Sequence, residues 1–122
     1  MKKLTVVLCA VMLSGCEILN TSFYDDNESM AITNITARVQ FLDCESKTLK
    51  KRLNNLDYHI EWLKQYTSAK GSKDIYDLAV IMDGTLEGML KQENMSPAYC
   101  RIKVRNLDTQ SKMAAEAIMG RF

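Results

Sequence analysis

Proline is almost missing from this chain. Pro97 stands alone among 122 residues, and glycine occurs five times. So few turn-formers, together with eight methionines, suit a helical protein better than a sandwich or barrel, whose many short strands need frequent turns. Histidine occurs once, at position 59, which leaves little for an imidazole-based metal site or catalytic dyad. There is no excess of one charge. Lys2 and Lys3 account for the formal +1; without them, 14 basic residues face 15 acidic ones. A near-neutral body lacks the basic footprint of a nucleic-acid binder or of a protein held electrostatically on anionic lipid. Nor is any apolar run long enough to span a bilayer. The longest covers residues 4–13, about half of the ~20 that a spanning helix needs. With 47% apolar and 25% charged residues, the chain still has the composition of one globular domain.

That short run has its own meaning. Met1-Lys2-Lys3 is a positively charged start, residues 4–13 follow as an apolar stretch, and Leu13-Ser14-Gly15-Cys16 closes it. The layout is that of a secretory leader rather than a buried helix. The last four residues resemble the lipobox of bacterial lipoproteins at all four positions. The resemblance implies diacylglyceryl transfer to the Cys16 thiol, cleavage before it and acylation of the new amine. More than one acyl chain makes a stable anchor. In enteric lipoproteins an Asp after that cysteine usually marks retention in the inner membrane. Here Glu17 follows, which favours an outer-membrane lipoprotein facing the periplasm. The expected layout is a signal peptide over residues 1–15, a lipidated tether over 16–29 and a helical domain over 30–122.

The cysteines then sort themselves. Cys9 leaves with the leader and Cys16 carries lipid, so Cys44 and Cys100 remain as an even pair in an oxidising compartment. A disulfide between them closes a loop of nearly 60 residues, worth about 4 kcal/mol in chain entropy. The alternative is two buried free thiols.

Residues 17–29 are polar and aperiodic, and read as a tether reaching at most ~40 Å. From there Ile32, Ile35, Val39, Leu42, Ser46, Leu49, Leu53, Leu56, Ile60 and Leu63 alternate steps of three and four. No Gly or Pro interrupts residues 30–70, so one long helix is expected, with its first part projecting toward the membrane. A second stripe of Phe41, Cys44, Tyr58 and Trp62 predicts a second packing neighbour. Gly71 ends the helix. Ser72 or Asp74 caps the next, whose inner face carries Ile75, Leu78, Ala79, Met82, Leu86, Met89 and Leu90. Gly84 and Gly88 within it permit a close helix approach. Ser96-Pro97 is a helix start, followed by Cys100, Val104, Leu107, Ser111, Ala114 and Ile118 at helical spacing. A strand with Cys100, Ile102 and Val104 on one face is the competing reading. The fold expected is therefore all-α, a small disulfide-linked bundle of about three helices. If the second helix climbs back some 30 Å, Cys100 in the first turn of the third lies near the level of Cys44.

Chemistry is scarce. Asp57 and Glu61 are four apart on one helix face, and such a pair is usually solvated. His59 has no nucleophile beside it, and Asp25-Asp26 offers too few oxygens for a calcium loop. No phosphate loop or dinucleotide fingerprint occurs. The expectation is a protein that is not an enzyme and uses no metal or cofactor.

One further pattern bears on function. Phe41-Leu42-Asp43-Cys44 ends an apolar stretch, and Ser96-Pro97-Ala98-Tyr99-Cys100 precedes the last helix. This resembles the small helical pilotin lipoproteins of type II secretion systems, which place an early cysteine after an aromatic-Leu stretch and a late one after an X-Pro turn. The resemblance implies a bundle whose groove grips a short helix at the C-terminus of a secretin subunit, while the lipid carries that partner to the outer membrane. Only Cys44 and Cys100 carry over. The family usually breaks its first helix soon after the early cysteine, whereas this heptad seam runs on to Leu63. Other readings are a phage- or plasmid-encoded envelope lipoprotein, such as an exclusion factor or an outer-membrane spanin subunit, and a periplasmic enzyme inhibitor.

Overall fold

Asp25 opens the first helix by accepting hydrogen bonds from the amides of Asn27 (2.8 Å) and Glu28 (3.1 Å) through one carboxylate oxygen. In a computed structural model that describes residues 24–120, this helix, α1, spans Asp26–Gln40. Three more follow: α2 over Leu49–Lys70, α3 over Lys73–Leu90 and α4 over Pro97–Met119. Each packs against its neighbours in sequence, and α4 returns to pack against α1, which closes a four-helix bundle. Neighbours run antiparallel. Asn27, at the start of α1, donates to the hydroxyl of Tyr66 near the end of α2 (3.1 Å), and Ser29 meets Met119 near the end of α4.

The all-α, disulfide-linked fold is as the sequence predicts, but with four helices instead of three. The expected long helix breaks over residues 41–48. Two side chains divert the backbone there. Asp43 accepts from the amide of Glu45 (2.9 Å), and the Ser46 hydroxyl from the amide of Thr48 (3.1 Å). Such local bonds offer the backbone an alternative to the helical ladder. The seam survives the fold-back. Ile32, Ile35 and Val39 from α1 face Leu53, Leu56, Ile60 and Leu63 from α2 across one core, all essentially buried. Leu42, Ser46 and Leu49, at the break, are only half-buried. Hence α1 does not project from the bundle but forms one of its four walls.

The domain also begins earlier than residue 30. Glu28 and Ser29, assigned above to the tether, are buried in the first turn of α1. Cys16 and the rest of residues 1–23 lie outside the described residues, so the leader and lipidation site stand as expectations.

At the far end of α2, Gly71 adopts φ 84°, a left-handed conformation that closes the helix with its amide bonded to the Thr67 carbonyl at 3.0 Å. A Cβ is strained at that φ, which is why glycine ends this helix. On α3, Ile75, Ala79, Met82, Leu86 and Met89 are buried as predicted, with Leu78 and Leu90 partly so. Gly84 faces open space and Gly88 has only the Tyr99 hydroxyl at 3.5 Å, so neither creates a close helix approach. Ser96 caps α4 through the Tyr99 amide (3.1 Å) with Pro97 in its first position. Residues 97–119 are helical throughout; Cys100 and Leu107 point inward and Ile102 is exposed, which removes the strand reading. Cys44 and Cys100 are joined, with Cα atoms 5.8 Å apart, and the bond ties the α1–α2 connection to the first turn of α4.

Candidate docking groove

Four helices close the core, and large apolar side chains stay exposed on more than one face, Val80 and Ile81 on α3 and Ile102 and Met113 on α4 among them; those along α1 and α2 border hollows. Met30 from α1 and Phe41 just past its end are 65% and 71% exposed, and Tyr58 and Trp62 from α2 are 67% and 42% exposed. The second stripe read from the sequence is therefore real, but it meets solvent rather than a second neighbour. Its fourth member, Cys44, is turned into the disulfide. The stripe borders two hollows that follow one another along the α1–α2 seam. One, of about 260 Å³, is lined by Asn27, Met30, Ala31, Asn34, Tyr58, His59 and Trp62. The other, of about 410 Å³, is lined by Arg38, Phe41, Thr48, Lys51, Arg52 and Asn55.

The aromatic floor is held in place. Trp62 stacks on Tyr66, with centroids 5.0 Å apart and planes 7° from parallel. The Tyr66 hydroxyl donates to Asp25 (2.9 Å) and accepts from Asn27, and Lys70 pairs with Asp25 at 2.8 Å and with Glu28 at 3.5 Å. A ring fixed by polar contacts at its back presents its other face without having to be ordered on binding. Tyr58 meets His59 edge-on. Burial, then the neighbouring Arg38 charge, pushes the His59 imidazole below its ordinary range, so it is neutral at pH 7. His59 thus contributes a neutral surface to the groove.

Asp25 gives the network a pH signature. Burial alone would raise its carboxyl, but Lys70, Tyr66 and the two amides outweigh it and hold the pKa at about 2, from 3.8. A lowered carboxylate stabilises the fold fully above about pH 4 and loses that contribution as pH falls toward 2. The amount is about 2 kcal/mol. Urea unfolding of wild type and Asp25→Asn should therefore converge on acidification below pH 4; parallel profiles would rule out this role.

Comparison with protein-family models, curated proteins and solved structures found no match. The site must stand on its own geometry.

The remaining polar cluster lies between α2 and α3. Carboxylate oxygens of Asp57, Glu61 and Asp83 are within 4.8 Å of one another. Asp57 and Glu61 were legible as a pair; Asp83 joins them only through the α2–α3 register. Three such groups can hold a cation, but Lys64 already bridges Glu61 (3.1 Å) and Asp83 (3.0 Å). Those bonds hold the Lys64 ammonium above its ordinary range. Burial, followed by the charges of Asp83, Glu61 and Glu87, pushes the Asp57 carboxyl up. The arrangement is an ion-pair cluster clasping two helices, with its own positive charge supplied. Beside the disulfide, a third hollow of about 550 Å³ is walled by Asp43, Glu45 and Asp108 as well as Arg101 and Arg105, so it favours neither sign of ligand. Among the described residues, no helix is long and apolar enough to cross a membrane.

Proposed function

We propose that this protein is a lipid-anchored adaptor of the bacterial envelope that grips a partner helix between α1 and α2. Its nearest functional pattern is the pilotin, which carries a secretin subunit to the outer membrane. The observation that carries the reading is the solvent-facing stripe of Met30, Phe41, Tyr58 and Trp62 along a grooved helix pair. Helix-in-groove recognition uses such apolar anchors spaced along a shallow channel. The α1 wall has 15 residues, about 22 Å, which matches a partner helix of some four turns.

Two further points support it. The chain breaks over residues 41–48, around Cys44, close to where the pilotin pattern ends its first helix, although the heptad seam still runs on to Leu63. Eleven residues separate Cys16 from Asn27, so the Asn27–Trp62 end of the groove would stay within about 40 Å of a lipid on Cys16. Radiolabelled palmitate should enter the protein and be lost in Cys16→Ser. Trp62 is the only tryptophan, so its emission reports the groove directly. A tryptophan-free peptide from the C-terminus of a secretin subunit of the same cell should shift it to the blue. Truncating Met30 or Tyr58 to Ala should weaken that binding by about tenfold each. An emission unmoved by the peptide, with the bundle folded, would sink the pilotin reading.

A further inference from the structure

The near-zero charge of the chain hides a polarity along the bundle. Residues 46–56 hold Lys47, Lys50, Lys51 and Arg52 with no acidic residue, and Arg38 joins Lys51 and Arg52 in the wall of the hollow beside Phe41. All five cations are exposed, and among the described residues none forms an ion pair; Arg52 donates only to the Phe41 carbonyl, at 2.9 Å. Asp43 and Glu45 line the separate hollow beside the disulfide, and Glu93 shares a smaller one with Lys47 and Lys50 without pairing. The opposite end, where α1 and α3 begin, carries Asp25, Asp26, Glu28, Asp74 and Asp77 against Lys70 and Lys73. Lys50, Lys51 and Arg52 lie in the first turn of α2, which holds no acidic residue and whose N-cap makes no side-chain hydrogen bond. Cations there oppose the macrodipole, so an anion from outside relieves the start of this helix.

Phe41, 71% exposed, stands among these charges. An exposed ring ringed by cations suits the headgroup layer of an anionic bilayer, where the ring enters the acyl boundary and the cations stay with the phosphates. Such a surface lies within reach of a chain lipidated at Cys16. Ten residues join Cys16 to Asp26 and extend at most about 35 Å, while α2, with 22 residues, is about 33 Å long. A tether of that length leaves from the acidic end, yet lets the basic end reach the bilayer and holds it there at high effective concentration. Resting on the lipid-anchored part of the reading above, and not on its partner, we infer that Phe41 and the start of α2 seat on anionic phospholipid. The bundle then lies tilted along the bilayer with its acidic end turned outward. The groove meets the surface at its Phe41 end and opens away from it at its Met30 end.

The test uses the lipidated chain in nanodiscs of phosphatidylcholine, alone or mixed with phosphatidylglycerol, all with brominated acyl chains. Phe41→Trp in a Trp62→Phe background reports the seat, and the native Trp62 reports the open end of the groove. The Phe41→Trp emission should shift to the blue and be quenched in the mixed discs alone, and high salt should reverse both. Trp62 should be quenched in neither. Lys51→Gln should lower the seated-to-free ratio about fivefold. Lys50→Glu with Lys51→Glu should abolish the quenching while the unfolding midpoint stays at or above wild type, since acidic side chains suit a helix start. Equal quenching in both discs, or none in either, overturns the seat. Quenching of Trp62 to the same extent lays the whole α1–α2 face on lipid and overturns it too. So does a shift that glycerol phosphate reproduces in the neutral discs, which makes the ligand a soluble phosphate. A chain that takes up no palmitate fails the anchored reading before the discs are made; a lipidated chain unquenched at position 41 fails the seat alone.

Discussion

Replacing both Cys44 and Cys100 with Ala should lower the unfolding free energy by about 4 kcal/mol, a large share of the 5–15 kcal/mol typical of a single domain. The cysteines are 56 residues apart, so the bridge removes much of the conformational freedom of the unfolded chain. It also acts where the fold has least else to hold it. Residues 41–48 are the longest non-helical stretch between helices, and their local order rests on the short bonds of Asp43 and Ser46. Within it Leu42 and Cys44, both only half-buried, pack the stretch onto the core. Urea unfolding under non-reducing conditions should show the loss as a fall in midpoint, and reduction of the wild type should reproduce it. A loss below about 1 kcal/mol would mean that the bundle does not depend on the bridge.

Lys70→Met should cost about 3 kcal/mol at pH 7. Lys70 lies at the end of α2 and its ammonium is shared between Asp25 and Glu28, the latter 0% exposed. Removing it leaves two carboxylates close together in a poorly solvated corner. Glu28 keeps its other interactions but loses the Lys70 ammonium. The penalty should shrink as the solution is acidified toward pH 2, where the Asp25 carboxylate protonates in the wild type as well. Glu28→Gln in the Lys70→Met background should recover part of it at neutral pH. A neutral-pH loss under about 1 kcal/mol would place the pair with ordinary surface ion pairs. Because this corner also holds Tyr66 behind Trp62, the same variant should loosen the aromatic floor of the groove.

Much of the interior was legible in the sequence. Steps of three and four named Ile32, Ile35, Val39, Leu53, Leu56, Ile60 and Leu63 as core, and Ser96-Pro97 marked the last helix. A repeat says which residues face inward, not whether the helix carrying them is straight or folded back. The fold-back over residues 41–48 depends on Asp43 and Ser46 capturing backbone amides. Ser46 was visible only as the one polar member of the seam. The early start of α1 does have a signal in the sequence. Asp25 and Glu28 stand in the spacing of a capping box, a local cue within a stretch that is otherwise polar and aperiodic. The stripe of Phe41, Tyr58 and Trp62 was recognised, but periodicity cannot tell a face that packs on a neighbour from one awaiting a partner. That distinction follows from the closure of α4 on α1, a long-range property. Asp83 joins Asp57 and Glu61 through the α2–α3 register, which is likewise long-range.

The decisive measurement is photocrosslinking in the living cell, with a photoreactive residue in place of Tyr58 and, separately, in place of Ile81, which is exposed on α3. Tyr58 should yield one predominant adduct that maps to the C-terminal segment of an envelope protein, a secretin subunit on the pilotin reading. Ile81 should yield none. No adduct at Tyr58, or the same adduct from both positions, would contradict the assignment of the α1–α2 groove as the docking face.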